Sequence, residues 1–337
     1  MRAASVLAVF FLYLANFPAG AAADGMELSL SRLSEGGCAQ TASDAEEFSL
    51  VRSDGSPQLQ TDKRAYAALA SALLPLSFSP LYAPLSNAGA RGFAFSIDGQ
   101  VARLDPALPA LRRGTEGAGP RSCDGRNGHV SGALFANRMR VEKGLPLGLS
   151  VGAHAGRVYD VGLYVAGAYG KIGILEGYES RWVPDVAVRL ASTAIGGNTA
   201  LSLFAWQLDL MASKSFVAGG LRFAPYLGAS LMAARASTMQ VDLTPNIDAL
   251  ACARGTDAVC NAQGLGANAA DQVHDRRFPT LWLGRARITA GAMLRFGTLA
   301  ILLEGGVDIV PPGRLNRVLA DGTPRQWHLS LAPTLAY

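Results

Sequence analysis

The chain of 337 residues reads as an all-β protein, a transmembrane antiparallel up-and-down β-barrel of about 10 strands preceded by a short N-terminal helix, with 12 strands as the alternative count. Three observations predict this. From Gly92 onward apolar residues recur with period two, the spacing that sends alternate side chains to opposite faces of a sheet. The alternating segments are longer than the ordinary globular strand of about 5 to 6 residues and reach the roughly 9 to 11 that a tilted membrane-spanning strand needs. The composition is 50% apolar, yet no later segment approaches the run of about 20 apolar residues that a membrane helix requires.

The chain divides into residues 1–23, 24–91 and 92–337. In the first part Arg2 precedes the apolar run Val6 to Ala15, and small residues follow from Pro18 to Ala23. That order is the signature of a removable export signal, with cleavage after Ala21 or Ala23. The run is too short for an anchor. Asp24 to Thr61 is mixed and polar, and reads as an extension. From Asp62 to Leu74, Tyr66, Leu69 and Leu73 recur at helical spacing behind an Asp62 cap, and Pro75 ends the run. Such a helix could plug the lumen or cover one opening; docking at the barrel mouth is the expectation.

Ten strands follow: Gly92 to Leu104, Ala133 to Glu142, Leu147 to Gly156, Asp160 to Ile174, Pro184 to Ala194, Leu201 to Ala212, Leu221 to Ala234, Leu281 to Phe296, Leu299 to Val310, and Gln326 to Tyr337. Two further strands would have to come from Met26 to Leu30 or from the long loops. If the first strand runs outward, the links on the inner side are short, and every long insertion (105–132, 235–280 and 311–325) falls on the other side. An Arg or Lys facing lipid at the bilayer midplane costs about 2 to 4 kcal/mol, so the charged face should point inward. That assigns Asp98, Arg138, Arg140, His154, Asp185, Arg189, Asp209, Arg285, Arg287, Glu304 and Asp308 to the pore lining, with Gln100, Gln207 and His328 beside them. Phe93, Phe95 and Ile97, and Phe204, Trp206, Leu208 and Leu210, would meet acyl chains. Trp182, Trp282, Trp327 and Tyr337 lie near strand ends, where aromatic girdles belong.

Little else in the sequence points to chemistry. Lys and Arg number 30 against 26 Asp and Glu, scattered rather than clustered, which excludes an obvious nucleic-acid binder. Of the four cysteines, Cys252 and Cys260 share one polar segment and could close a loop, with Cys38 and Cys123 left to pair or stay free. No Cys-x-x-Cys and no nearby paired His suggests a metal, so neither metal nor cofactor is expected. Gly148-Leu149-Ser150-Val151-Gly152 matches Gly-x-Ser-x-Gly, but lies within an alternating strand rather than at a strand-to-helix elbow. His154 is four residues from Ser150, roughly 13 Å along a strand, so the two cannot form a dyad. An enzyme is therefore not the expected reading, and an outer-membrane hydrolase stands as the less favoured alternative.

Trp327, Leu329, Leu331, Leu335 and Tyr337 share one face of the last segment. Ser330 to Tyr337, alternating and ending on an aromatic, resembles the carboxy-terminal signal of bacterial outer-membrane β-barrels. Lys143-Gly144-Leu145-Pro146, Pro184 to Arg189 and Ser213-Lys214-Ser215-Phe216 are similar to segments of uncharacterised Gram-negative barrels. The resemblance implies an outer-membrane location, with outer-membrane lipid and the barrel-assembly machinery as partners. The expected role is a narrow or gated channel or transporter for an unknown small solute, lined by Arg138, Arg140, Arg285 and Arg287. The alternative is a closed structural or adhesive barrel acting through its external loops, since about eight strands leave a lumen that side chains can fill.

Overall fold

In the computed structural model, residues 25–35, 60–81, 92–117, 127–175, 183–197, 201–243, 275–310, 315–316, 319 and 325–336 are described. The alternating segments form ten barrel strands: β1 (Phe93–Arg103), β2 (Ala133–Gly144), β3 (Leu149–Val158), β4 (Leu163–Leu175), β5 (Asp185–Gly196), β6 (Ser202–Ser213), β7 (Leu221–Ser237), β8 (Leu281–Phe296), β9 (Leu299–Asp308) and β10 (Trp327–Ala336). Each pairs antiparallel with its neighbour in sequence, and β10 pairs back onto β1, with Ala336 opposite Ala94 and His328 opposite Ala102. Closure leaves the ladder of ten without a free edge, and the short strand Phe216–Ala218, paired with residues 221–223, adds one. The count is ten rather than twelve. Met26 to Leu30 contributes only a bridge from Leu28 to Thr115 and a 3₁₀ turn at Leu30–Arg32, and the long loop after β7 contributes a separate hairpin of Gln240–Asp242 with Asp275–Arg277.

Two strand starts differ from the sequence expectation by more than one residue, for a backbone reason. Leu147 and Gly148 both take positive φ, 63° and 68°, and turn the chain between β2 and β3, so β3 begins at Leu149. Asp160 and Gly162, at 66° and 63°, do the same before β4. A left-handed residue cannot continue a strand.

Inward glycines let aromatic rings lie across neighbouring strands. A Cβ on Gly152 would lie 2.3 Å from the Tyr169 ring, and one on Gly291 would lie 2.3 Å from Tyr226. Both rings therefore cover bare backbone, which accounts for part of the glycine content. One edge outside the closed ladder is capped: where β8 extends past β9, the Asn316 amide accepts from Gly284 N at 2.6 Å and donates to Gly284 O at 3.0 Å. That side chain replaces the missing strand partner.

The N-terminal part lies at the long-loop end. Helix α1 (Lys63–Leu73) starts as expected, with the Asp62 carboxylate accepting from Ala65 N at 2.8 Å. Helix α2 (Pro109–Gly114), in the β1–β2 loop, packs against it. Arg113 ties the two segments together, donating to Asp62 and to the carbonyls of Arg32 and Ser34. Arg32 donates to the Thr115 and Glu116 carbonyls. Burial pushes the Arg32 guanidinium below its ordinary value, against the pull of the Glu116 charge. Leu33, Tyr66, Leu69 and Leu73 are buried in one apolar core with Leu104, Leu134, Leu203 and Leu283 from the strand ends. The helix is thus docked inside the mouth and sealed to it by apolar packing.

Candidate functional site: the occupied lumen

Beyond α1 the chain enters the barrel. Leu74–Ser77 forms a 3₁₀ turn, and the backbone is extended at Phe78. Pro75 and Pro80 shape this segment: proline fixes its own φ and biases the preceding residue toward extended backbone. Phe78 N bonds Pro75 O at 3.3 Å, but an extended stretch offers its remaining carbonyls few local donors, so these must come from the barrel wall.

The wall supplies them in order. Arg285 donates to the Ser71 carbonyl at 2.5 Å and Gln326 to that of Ala72 at 3.1 Å. Gln100 reaches Pro75 O at 3.3 Å. Arg138 donates to Leu76 O, and to Phe78 O at 2.8 Å. Arg189 donates to Ser79 O at 2.6 Å and to Pro80 O at 2.7 Å. Ser79 and Gln207 bond twice, through Ser79 N to the amide oxygen at 3.0 Å and through the amide nitrogen to Ser79 O at 3.2 Å. Leu81 N donates to Glu304 at 2.8 Å, and the Leu81 side chain occupies the space that a Cβ on Gly228 would need. The Arg287 guanidinium lies 3.8 Å from the centre of the Phe78 ring, a cation–π contact.

The inward charges also neutralise one another, mostly between adjacent strands rather than across the barrel. Arg189 faces Asp209 in register and binds it at 2.8 Å. Asp308 takes both Arg285 and Arg287, the latter at 3.2 Å. His328 meets Glu304 at 3.4 Å, and Glu304 also accepts from Tyr226 at 3.0 Å. Nearer the short-turn end, Glu142 accepts from Lys171 at 2.9 Å and from Tyr169 at 2.6 Å. Buried charges are tolerated where they are paired and hydrogen-bonded, as here.

Each residue assigned inward by alternation is placed as follows. Asp98, Arg138, Arg140, His154, Arg189, Asp209, Arg285, Arg287, Glu304 and Asp308 are buried inside the wall, and Asp185 is half-buried at the start of β5. Asp98 faces Arg138 in register, and Arg140 donates to Ser96 at 3.3 Å. His154 lies 3.4 Å from Thr193. Ser150 is also buried inward, with no hydrogen-bond partner for its hydroxyl among the described residues. Trp327, Leu329 and Leu331 point outward and are exposed, with Leu335 half-buried. Tyr337, Trp182, all four cysteines and the export signal lie outside the described residues, and the expected Cys252–Cys260 pairing lies there with them. Among the described residues no group of three or more His, Cys, Asp or Glu is placed to hold a metal ion. Gln326, Tyr226 and Ser79 belong to the lumen network and are not found by sorting charges onto faces. Nothing in the identity of Ser79 marks its role, although Pro75 and Pro80 bound the segment that carries it.

The described residues form a closed ten-stranded antiparallel β-barrel, apolar outside and charged inside. No protein-family model and no curated protein matches the chain. Among solved structures it is similar to neisserial surface protein A, at 13% identity over 72% of this chain and 96% of that one, with a TM-score of 0.27. It is also similar to Ail, the attachment invasion locus protein of Yersinia pestis, at 9% identity over 73% and 99%, TM-score 0.26. A third is the N-terminal β-barrel domain of Pseudomonas aeruginosa OprF, at 10% identity over 74% and 99%, TM-score 0.25.

Proposed function

We propose that this protein resides in the bacterial outer membrane after removal of its export signal, and is closed at rest by its own N-terminal segment, so that it acts through its long-loop end. The observation that carries this reading is the run of residues 71–81 through the lumen, bonded to Arg285, Gln326, Gln100, Arg138, Arg189, Gln207 and Glu304. Of the guanidiniums that would otherwise attract an anion, Arg138, Arg285 and Arg287 are engaged by backbone carbonyls or carboxylates, and Arg140 bonds the Ser96 hydroxyl. Assembly would use the terminal strand, with Trp327, Leu329, Leu331, Leu335 and Tyr337 read by the barrel-assembly machinery.

One observation favours a second reading, a gated path for a small solute. Below the apolar mouth, Arg138 and Arg189 hold the segment through main-chain oxygens, and the wall behind it is polar. Withdrawal of the segment would leave a charged conduit. Conductance of the full mature chain in a planar bilayer separates the two. The closed reading expects a silent bilayer from folded protein, with no response to voltage. Steady steps whose anion preference falls when Arg138, Arg140, Arg285 and Arg287 are changed to Ser would replace it with the gated channel.

A further inference from the structure

The lumen segment joins opposite ends of the barrel. At the long-loop rim Gly25 O accepts from the Asn127 amide at 2.6 Å, Glu116 N donates to Glu27 O at 2.8 Å, and Leu28 bridges to Thr115, so residues 25–28 are woven into the β1–β2 loop. Helix α1 seals the same rim. From there the contacts with the wall descend. Ser71 meets Arg285 near the start of β8 at 2.9 Å, Phe78 O accepts from Arg138 midway along β2, and Leu81 packs with Ala187, Met211 and Tyr226, close to the short-turn ends of β5 and β6. Gly92 leads into β1 at that short-turn rim, its carbonyl accepting from Gly144 N at 3.1 Å and from Lys143 at 3.2 Å. The main chain therefore enters the lumen at one rim and begins its first strand at the other. Ser71 to Leu81 carries no charged side chain, so its passage between paired guanidiniums and carboxylates strands no further ion in the lumen.

An exported chain reaches the outer membrane from its periplasmic side, whereas the long loops of such barrels face outward. A backbone without partners cannot cross the hydrocarbon outside the wall, which leaves the lumen as the route. From this placement we infer that the barrel carries its own amino-terminal segment across the outer membrane and displays it at the cell surface, with residues 25–35 and 60–73 forming an outer cap together with the β1–β2 loop. The inference rests on the membrane-barrel reading and adds the direction in which the chain threads it. A surface partner would then meet the amino-terminal segment as well as the loops.

The lysines allow a test on the unaltered chain. Lys63 is exposed at the start of α1, Lys143 and Lys214 lie at the short-turn rim, and Lys171 is buried. Cells of a Gram-negative host expressing the full chain are treated with a membrane-impermeant amine-reactive reagent, intact or with the outer membrane permeabilised, and labelled peptides are identified by mass spectrometry. Lys63 should be labelled equally in both, and Lys143 and Lys214 only after permeabilisation. Labelling of Lys63 confined to permeabilised cells would overturn the display, as would labelling of Lys143 and Lys214 in intact cells with Lys63 silent. An epitope inserted between Asp24 and Gly25, where the backbone is exposed and a Cβ would meet nothing within 4 Å, gives a second reading independent of the reactivity of Lys63. Antibody should bind that variant, shown folded by its heat-modifiable electrophoretic mobility, on intact cells; binding only after permeabilisation would overturn the proposal. Absence of the chain from the outer-membrane fraction, or equal labelling of Lys63, Lys143 and Lys214 in intact cells, would instead remove the membrane-barrel reading beneath it.

Discussion

Arg189→Met is the substitution that most directly tests the plugged lumen. Arg189 is fully buried; its Nε donates to Asp209, and its two terminal nitrogens donate to the carbonyls of Ser79 and Pro80. Three charge-assisted bonds at about 1.5 to 3 kcal/mol each suggest a loss of roughly 4 kcal/mol or more, in line with the cost of about 3 to 5 kcal/mol for breaking one side of a buried ion pair. Asp209 keeps the Gln207 amide at 2.7 Å and the Ser230 hydroxyl at 2.5 Å, and the β5–β6 ladder is untouched. The loss should therefore fall first on the segment and only second on the barrel.

Hydrogen exchange followed by mass spectrometry separates those effects. Ser79 N donates to Gln207 and Leu81 N to Glu304, so both amides are protected while the segment is seated. Only the two bonds to Ser79 and Pro80 act on the segment, and their loss of about 3 kcal/mol at the lower end corresponds to roughly a hundredfold change in opening, at about 1.4 kcal/mol per factor of ten. Exchange across 75–81 should accelerate by that order while β5 and β6 stay protected. Adding Asp209→Leu removes the stranded carboxylate and should restore barrel stability, because replacing both members of a buried pair is often neutral. Residues 75–81 should remain unprotected in the double variant, because their donor is still missing. Unchanged protection of 75–81 in Arg189→Met, or its loss together with β5 and β6, refutes the idea that Arg189 holds a separable segment.

Three further outcomes follow from single contacts. Gly291→Ala places a methyl 2.3 Å from the Tyr226 ring and 2.6 Å from the Leu303 carbonyl, so it should cost about 1 to 3 kcal/mol as overpacking, and a denaturant midpoint equal to the parent's would contradict the ring-over-glycine geometry. Tyr66 is buried against Phe278, its hydroxyl has no hydrogen-bond partner among the described residues, and burial raises its pKa. The folded phenol stays neutral while the unfolded one ionises near its ordinary value of about 10, so stability should fall as pH rises above that value. Tyr66→Phe should lessen this alkaline loss at little cost at neutral pH, and an identical alkaline unfolding profile would count against the buried phenol. Asn316→Ala should cost about 1 kcal/mol and speed exchange of the Gly284 amide selectively, whereas unchanged exchange there would show that the edge is capped by something else.

The strands were legible because barrel walls obey one rule along their whole length. Phe204, Trp206, Leu208 and Leu210 alternate with inward Ala205, Gln207 and Asp209 on β6, and no competing period interrupts them. The Asp62 cap was legible for the same local reason. The starts of β3 and β4 were missed because Leu147 and Asp160 adopt a conformation that their side chains do not announce. The ring-over-glycine pairs could not be read, since Gly291 meets Tyr226 only once register sets β7 against β8. The occupation of the lumen was hidden more deeply. Arg138 and Arg189 recognise backbone oxygens of residues 76–80, and a carbonyl leaves no trace in the identity of the residue that carries it.

This explains why a plugged barrel and a pore look alike in sequence. Both require inward charge, because the outer face must be apolar. What separates them is where the guanidiniums spend their donors. In a water-filled lumen the five donors of each arginine would be hydrated. In this barrel Asp308 is shared by Arg285 and Arg287, which leaves Arg285 with a terminal nitrogen for Ser71 O, while Arg189 divides its donors between Asp209 and two main-chain oxygens. The surplus of donors over carboxylates on the wall is met by the open carbonyls of a proline-bounded segment. The two parts are chemically complementary: withdrawing the segment without water or solute to replace it would strand buried guanidinium donors, so opening has to be coupled to hydration of the lumen.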